Sequence, residues 1–208
     1  MRDALWEQYR HLRTAWADGL AWEFKRSAIA FAVLVLLAFG ACMAFPALLD
    51  RAIQFLLDTM GGMEVLNEDG SLSAPALFLN NFQATAMTMT YGLLPFIQLP
   101  AMALGLNAVL LGILAAWYLT NGYSLLAYLA ALLPHGVFEL PALVFAFAVG
   151  LYVCGQLTRR CRRDENALSL WNCIILISEA LVLVLLPLLL AAAVMEAYVT
   201  PLAAAHFL

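Results

Sequence analysis

Long apolar segments joined by short polar ones make up most of this chain of 208 residues. Four of these segments, at residues 27–49, 96–119, 135–154 and 168–194, match the roughly 20 residues that a helix needs to cross a bilayer. A fifth segment, at residues 76–92, is shorter and more polar. The pattern predicts an all-α fold, a polytopic transmembrane helical bundle with about five spans.

The second and third predicted spans, residues 76–92 and 96–119, are joined by a very short connection. Pro95 and Pro100 bracket this connection, and proline interrupts a helix because it lacks an amide hydrogen. The two segments therefore form a tight hairpin. It either crosses the bilayer completely or is re-entrant and buried in protein.

The N-terminal 26 residues are more polar than the spans. Apolar side chains recur there at helical spacing, at Leu5, Tyr9, Leu12, Trp16 and Leu20. This spacing predicts an amphipathic helix, and its Trp and Tyr side chains suit the head-group layer of a membrane. The predicted organisation is a cytoplasmic helix (residues 1–26), a single transmembrane bundle (residues 27–195) and an extracytoplasmic tail (residues 196–208).

Charge gives the predicted orientation. The chain has ten Lys and Arg residues, and nine of them lie within residues 2–26 or residues 159–163. Positively charged flanks of spans stay in the cytoplasm, so both groups are predicted to lie inside, with the N-terminus inside and the C-terminus outside. A composition of 65% hydrophobic and 12% charged residues excludes a soluble protein and makes the lipid bilayer a partner. No basic surface with interleaved aromatic residues occurs, which argues against a nucleic-acid partner.

Small residues recur at helix-packing intervals in two spans. They are Ala101, Gly105, Ala108 and Gly112 in one span, and Ala142, Ala146 and Gly150 in the next. Such stripes let helix backbones approach closely, either within one chain or in a homodimer.

Polar residues inside a span are costly and usually face the protein interior. Asn81, Thr85 and Thr88 share one helical face of the segment at residues 76–92, with Asn80 beside them. Two interpretations remain open: hydrogen bonds between helices, or the lining of a path for a ligand or an ion.

Glu179 lies near the middle of the last predicted span. A carboxylate at that depth must be protonated, paired or turned towards a cavity. Asn107 and Asn172 are the candidate partners within the spans. The residue is a candidate for a role in transport.

The segment LLPHGVFELPAL places His135 four residues before Glu139, so both lie on one helical face if a helix begins at Pro134. Near the outer membrane surface they would lie at about the depth of Asn80 and Asn81. Three interpretations compete: a structural pair, half of a metal site, or general acid–base chemistry. His135 and Glu139 are the only metal candidates, because His11 is predicted on the other side of the membrane and His206 in the tail. We expect no cofactor and no catalytic residues, since neither HExxH nor GxSxG occurs.

Several of these segments occur together in a known order. The order FLNNF, a glycine-rich span, TNGYS and PHGVFELPA resembles the stage II sporulation protein M family over about residues 27–195. The segment from Pro134 to Ala142 is its most specific element, supported by Asn80–Asn81 and the Asn121–Gly122 step. The resemblance implies a multi-pass protein of the prokaryotic cytoplasmic (inner) membrane. In spore formers such a protein anchors an engulfment complex beside peptidoglycan hydrolases.

Three functions follow from these observations. The resemblance and the small extramembrane segments favour a scaffold that recruits or positions envelope-remodelling partners, which include peptidoglycan hydrolases. The polar span and Glu179 support a transporter or channel component as the first alternative. An intramembrane metal-dependent enzyme at His135 and Glu139 is the second.

Overall fold

The computed structural model describes residues 2–60 and 73–204, and those residues contain helices and no strand. The helices are α1 (Arg2–Ala15), α2 (Ala21–Ala44), α3 (Pro46–Met60), α4 (Ala74–Tyr91), α5 (Leu99–Thr120), α6 (Leu125–Cys161), α7 (Leu170–Ala180), α8 (Leu186–Val194) and α9 (Thr200–Ala204). The all-α polytopic fold is therefore confirmed.

Among the described residues, four continuous helical stretches are long and apolar enough to cross a membrane. They are Tyr9–Ala44, Leu99–Thr120, Leu125–Cys161 and Leu170–Ala203. Helix α4 does not qualify, because Asn80, Asn81 and its threonines lower its hydropathy. Its 18 residues span about 27 Å, close to the thickness of the hydrocarbon layer. A fifth crossing by α4 stays a prediction.

Helix α6 is the centre of the bundle. It has 37 residues and packs against α2, α4, α5, α8 and α9. The hydroxyl of Ser124 caps its start by accepting a hydrogen bond from the amide of Ala127 at 3.1 Å. The predicted start near residue 135 was therefore ten residues too late, and both prolines of the PHGVFELP segment lie inside a continuous helix.

The first predicted span also differs from the helix observed. Helix α2 ends at Ala44 because Phe45 leaves the helical conformation and Pro46 starts α3. Helix α3 is amphipathic: Leu49 is buried, and Ile53 and Leu56 pack with it against the C-terminal end of α5.

The last helical stretch continues to residue 204, past the predicted end of the bundle at residue 195. Two π-helical turns, Leu181–Leu185 and Met195–Val199, interrupt it. It runs antiparallel to α6. The amide of Leu168 donates to Gln156 at one end, and His135 contacts Thr200 at the other.

The N-terminal helix is joined to α2 through the π-helical turn Trp16–Leu20. Gly19 has φ of 133°, a conformation that costs a glycine little and produces the kink. Leu12 and Ala15 of α1 are buried in the main core with Phe145 and Leu176. Helix α1 thus packs on α7, and the turn Trp16–Leu20 that follows it packs on α6. The predicted place of α1 in the head-group layer stays a prediction.

The two basic groups lie at the same end of the bundle. Helices α2 and α5 run parallel, since Phe31 packs near Leu104 and the backbone of residues 35–39 approaches Gly112. The start of α2 therefore lies beside the turn that precedes α5. The amide of Phe96 in that turn donates to Thr158 at 2.9 Å, just before the arginine patch.

Candidate functional site

Three metal-ligating side chains meet between α6 and the last helical stretch. They are His135, Glu139 and Glu196, and their ligand atoms lie within 4.8 Å of one another. We call them the imidazole–carboxylate cluster. All three are partly buried. His135 lies ten residues after the start of α6, about 15 Å along the helix axis.

The antiparallel packing of the two helices positions the cluster. His135 and Glu139 are one turn apart on α6, so both side chains face the same neighbour. Glu196 lies in the π-helical turn Met195–Val199, where one extra residue per turn changes the facing of the helix.

A hydrogen-bond chain fixes the imidazole of His135. The hydroxyl of Thr200 donates to the carbonyl of Met195 at 3.2 Å, so its oxygen is left to accept from Nδ1–H of His135 at 3.1 Å. On this basis we assign the ring proton to Nδ1, an assignment that leaves Nε2 with a lone pair.

Asn107 of α5 borders the same small cavity of about 100 Å³ as His135 and Glu139. Its side-chain amide donates to the carbonyl of Ala103 at 2.9 Å, which leaves its side-chain carbonyl oxygen as an acceptor. The cavity is otherwise bordered by leucines and Gly136, so its polar groups converge within an apolar wall.

Asn80 and Asn81 lie on α4, where Asn80 is exposed and Asn81 is half-buried. Neither borders the cavity that holds His135 and Glu139. On the same helix, the hydroxyl of Thr85 donates to the carbonyl of Asn81 and that of Thr88 to the carbonyl of Ala84, both at 2.8 Å. Two hydroxyl groups on the polar face of α4 thus find hydrogen-bond acceptors in the backbone of the same helix.

Glu179 belongs to a separate cavity of about 200 Å³ near the basic end of the bundle. It is only 5% exposed, and its Oε1 lies 3.2 Å from Nδ1 of His11. Its Oε2 is buried and has no hydrogen-bond partner among the described residues. Asp18 and Asn172 line the same cavity, which we call the Glu179 cavity. The hydroxyl of Tyr152 also lies there and donates to Asp18 at 3.2 Å.

Of the two partners predicted for Glu179, the structure places Asn172 in its cavity and Asn107 beside His135. Three residues at these sites were not among those predicted: His11, Glu196 and Thr200. The signal for Glu196 was available: it is an acid inside the apolar run that continues past residue 194, as Glu179 is. The contact of His11 was hidden, because nothing in the local pattern shows that α1 folds back onto α7.

One known protein family matches most of the chain. Residues 27–201 match the family model described as stage II sporulation protein M. No curated protein and no solved structure matches the chain.

Proposed function

Because the chain belongs to the stage II sporulation protein M family, we propose that it is a membrane scaffold that positions envelope-remodelling partners. The protein is an integral membrane member of this family. The scaffold role rests on what the family resemblance implies, namely partners that cut or bind peptidoglycan.

The observation that carries the proposal is helix α3. It lies outside the candidate spans, and Leu49 anchors it to the bundle. Arg51, Gln54 and Asp58 on α3 are exposed. Leu48 and Phe55 are exposed beside them. A docked helix with a mixed polar and apolar exposed face suits a contact with another protein, because its docking is already provided by the fold.

Orientation links this helix to the cell envelope. Since the basic groups lie together at one end of the bundle, the positive-inside rule assigns that end to the cytoplasm. Helix α3 packs at the opposite end, beside the C-terminus of α5, and so faces the side where peptidoglycan lies.

A membrane-impermeant thiol reagent should then label the variant Gln54→Cys in intact cells. The exposed Cys161 should react only after the membrane is opened.

Photo-crosslinking tests the scaffold role. A photoreactive amino acid at Gln54 should capture a peptidoglycan-cleaving or peptidoglycan-binding protein several-fold more than the same group at Leu36. Leu36 is the matched control, since it is 68% exposed on the outer face of α2 within a candidate span. Equal capture from both positions, or capture of no envelope protein, would refute the proposal.

A second function, movement of a proton or a small cation, is supported by the Glu179 cavity. The unpartnered Oε2 of Glu179 beside a cavity is an arrangement that suits a cation. In proteoliposomes, a flux that Glu179→Gln abolishes would support it. No flux above that of protein-free vesicles would exclude it.

A further inference from the structure

We propose that the imidazole–carboxylate cluster, His135, Glu139 and Glu196, binds one divalent transition-metal ion, with Asn107 beside it. This metal site goes beyond the scaffold role and does not depend on it. Each of the three side chains brings one ligand atom, and those atoms already lie within 4.8 Å of one another.

Electrostatics supplies the first argument. The carboxylates of Glu139 and Glu196 come together in a partly buried cluster, and the cavity beside Glu139 is lined otherwise by His135, leucines, Gly136 and the neutral Asn107. No Lys or Arg borders this cavity among the described residues. At low dielectric the repulsion of two like charges at this separation is large, so both cannot stay ionised without a counter-charge. A divalent cation cancels the two negative charges and leaves a neutral assembly.

The orientation of His135 supplies the second argument. A histidine that binds a metal usually donates its other ring N–H to a nearby acceptor, which fixes the ring and its tautomer. Here Nδ1–H donates to Thr200, whose own hydroxyl proton is directed to the carbonyl of Met195. The lone pair of Nε2 is therefore free for a metal, and the bond that orients the ring is already made.

The donor set selects the class of ion. One imidazole nitrogen and two carboxylate oxygens are common ligands of zinc and of other first-row transition ions, with a fourth position for water or an amide oxygen. Calcium takes six to eight oxygens and magnesium demands a near-octahedral set, and a nitrogen ligand suits neither. The side-chain oxygen of Asn107, which lines the same cavity as His135 and Glu139, is a candidate for the further ligand.

The experiment measures metal content in protein carrying no histidine tag. The full chain, reconstituted in lipid nanodiscs, is stripped with a chelator, incubated with zinc and assayed by elemental analysis. Wild type should retain about one zinc ion per chain. Glu139→Gln and Glu196→Gln should each lose at least tenfold in occupancy, and His135→Asn should do the same. The matched control is Glu165→Gln, which removes an exposed carboxylate outside both polar cavities and should retain the ion.

A second measurement uses only the wild type, so that a variant that misfolds does not decide the result. Zinc should raise the melting temperature of the stripped protein, since a ligand that binds the folded state stabilises it. Cobalt(II) should give visible absorption bands of a four- or five-coordinate site. If wild type holds less than a tenth of an equivalent and shows neither the shift nor the bands, the proposal is wrong. It is equally wrong if well-folded cluster variants keep as much zinc as Glu165→Gln.

Discussion

The close contact between α2 and α5 gives a quantitative prediction about Gly112. A Cβ atom added at Gly112 would lie 2.6 Å from the carbonyl oxygen of Val35, 2.7 Å from the Cβ of Ala38 and 2.8 Å from the amide of Phe39. Two of these three atoms belong to the backbone, so no side-chain rotation relieves the clash. Helices α2 and α5 must therefore move apart by several tenths of an ångström. The contact between these two parallel helices holds α2 to the bundle.

We expect Gly112→Ala to destabilise the protein by about 1–3 kcal/mol, the usual cost of inserting an atom into a well-packed core. At about tenfold for every 1.4 kcal/mol, the ratio of folded to unfolded protein at the wild-type midpoint falls by roughly 5- to 150-fold. Reversible unfolding of the protein in mixed micelles, followed by tryptophan fluorescence, measures this change.

Gly105→Ala is the matched control. Gly105 lies two helical turns before Gly112 on α5, and a Cβ built there meets nothing within 4 Å. Its substitution should leave stability unchanged or slightly raised, because alanine favours a helix more than glycine does. If both variants unfold at the same denaturant concentration, the close approach of α2 and α5 is wrong.

Two further predictions concern charged side chains. In a double-mutant cycle, His11→Ala and Glu179→Gln should show a coupling free energy of unfolding of about 0.6–1.7 kcal/mol, as found for hydrogen bonds within membrane proteins. If the effects of the two substitutions simply add, the contact between His11 and Glu179 is contradicted. A hydrogen bond from Arg159 holds the pKa of Asp164 below its ordinary value. The stabilisation by this pair is therefore present above the ordinary pKa of aspartate and is lost as the pH falls through the lowered one. The difference in melting temperature between wild type and Asp164→Asn should close over that range, and a difference that stays constant with pH would contradict this explanation.

The small-residue stripes show what local sequence could and could not predict. On α6 the expectation of packing is confirmed, since Ala142 and Ala146 are fully buried and Gly150 contacts the backbone of Thr88. On α5 the stripe divides: Ala108 and Gly112 are buried, whereas Ala101 is exposed and Gly105 has open space beside it. Spacing identifies a face of a helix, but where the neighbouring helix crosses that face depends on the whole bundle.

The prediction for His135 and Glu139 had a similar limit. Their spacing correctly placed them on one helical face, because helical periodicity is a local property. The third member, Glu196, comes from a residue 57 positions beyond Glu139 in the chain, and only the antiparallel packing of the last helical stretch brings it there. Pro134 predicts a helix boundary, yet α6 begins at Leu125 and continues through it. The cap at Ser124 and the packing of α6 outweigh the bond that the proline removes.

The central part of α6 bears on the choice between scaffold and transporter. The imidazole–carboxylate cluster lies towards one end of α6 and the Glu179 cavity towards the other. Between them, the side chains of residues 146–149 have no solvent exposure. At Gly150 a Cβ would lie 2.8 Å from Pro100 and 2.9 Å from the carbonyl oxygen of Thr88, so α4, α5 and α6 meet there without space for water. These contacts close the bundle on the side of α6 that faces α4 and α5. Within the described residues the two polar sites are thus separated along α6 by a segment whose side chains have no solvent exposure, which counts against a transport path from Glu179 along this helix.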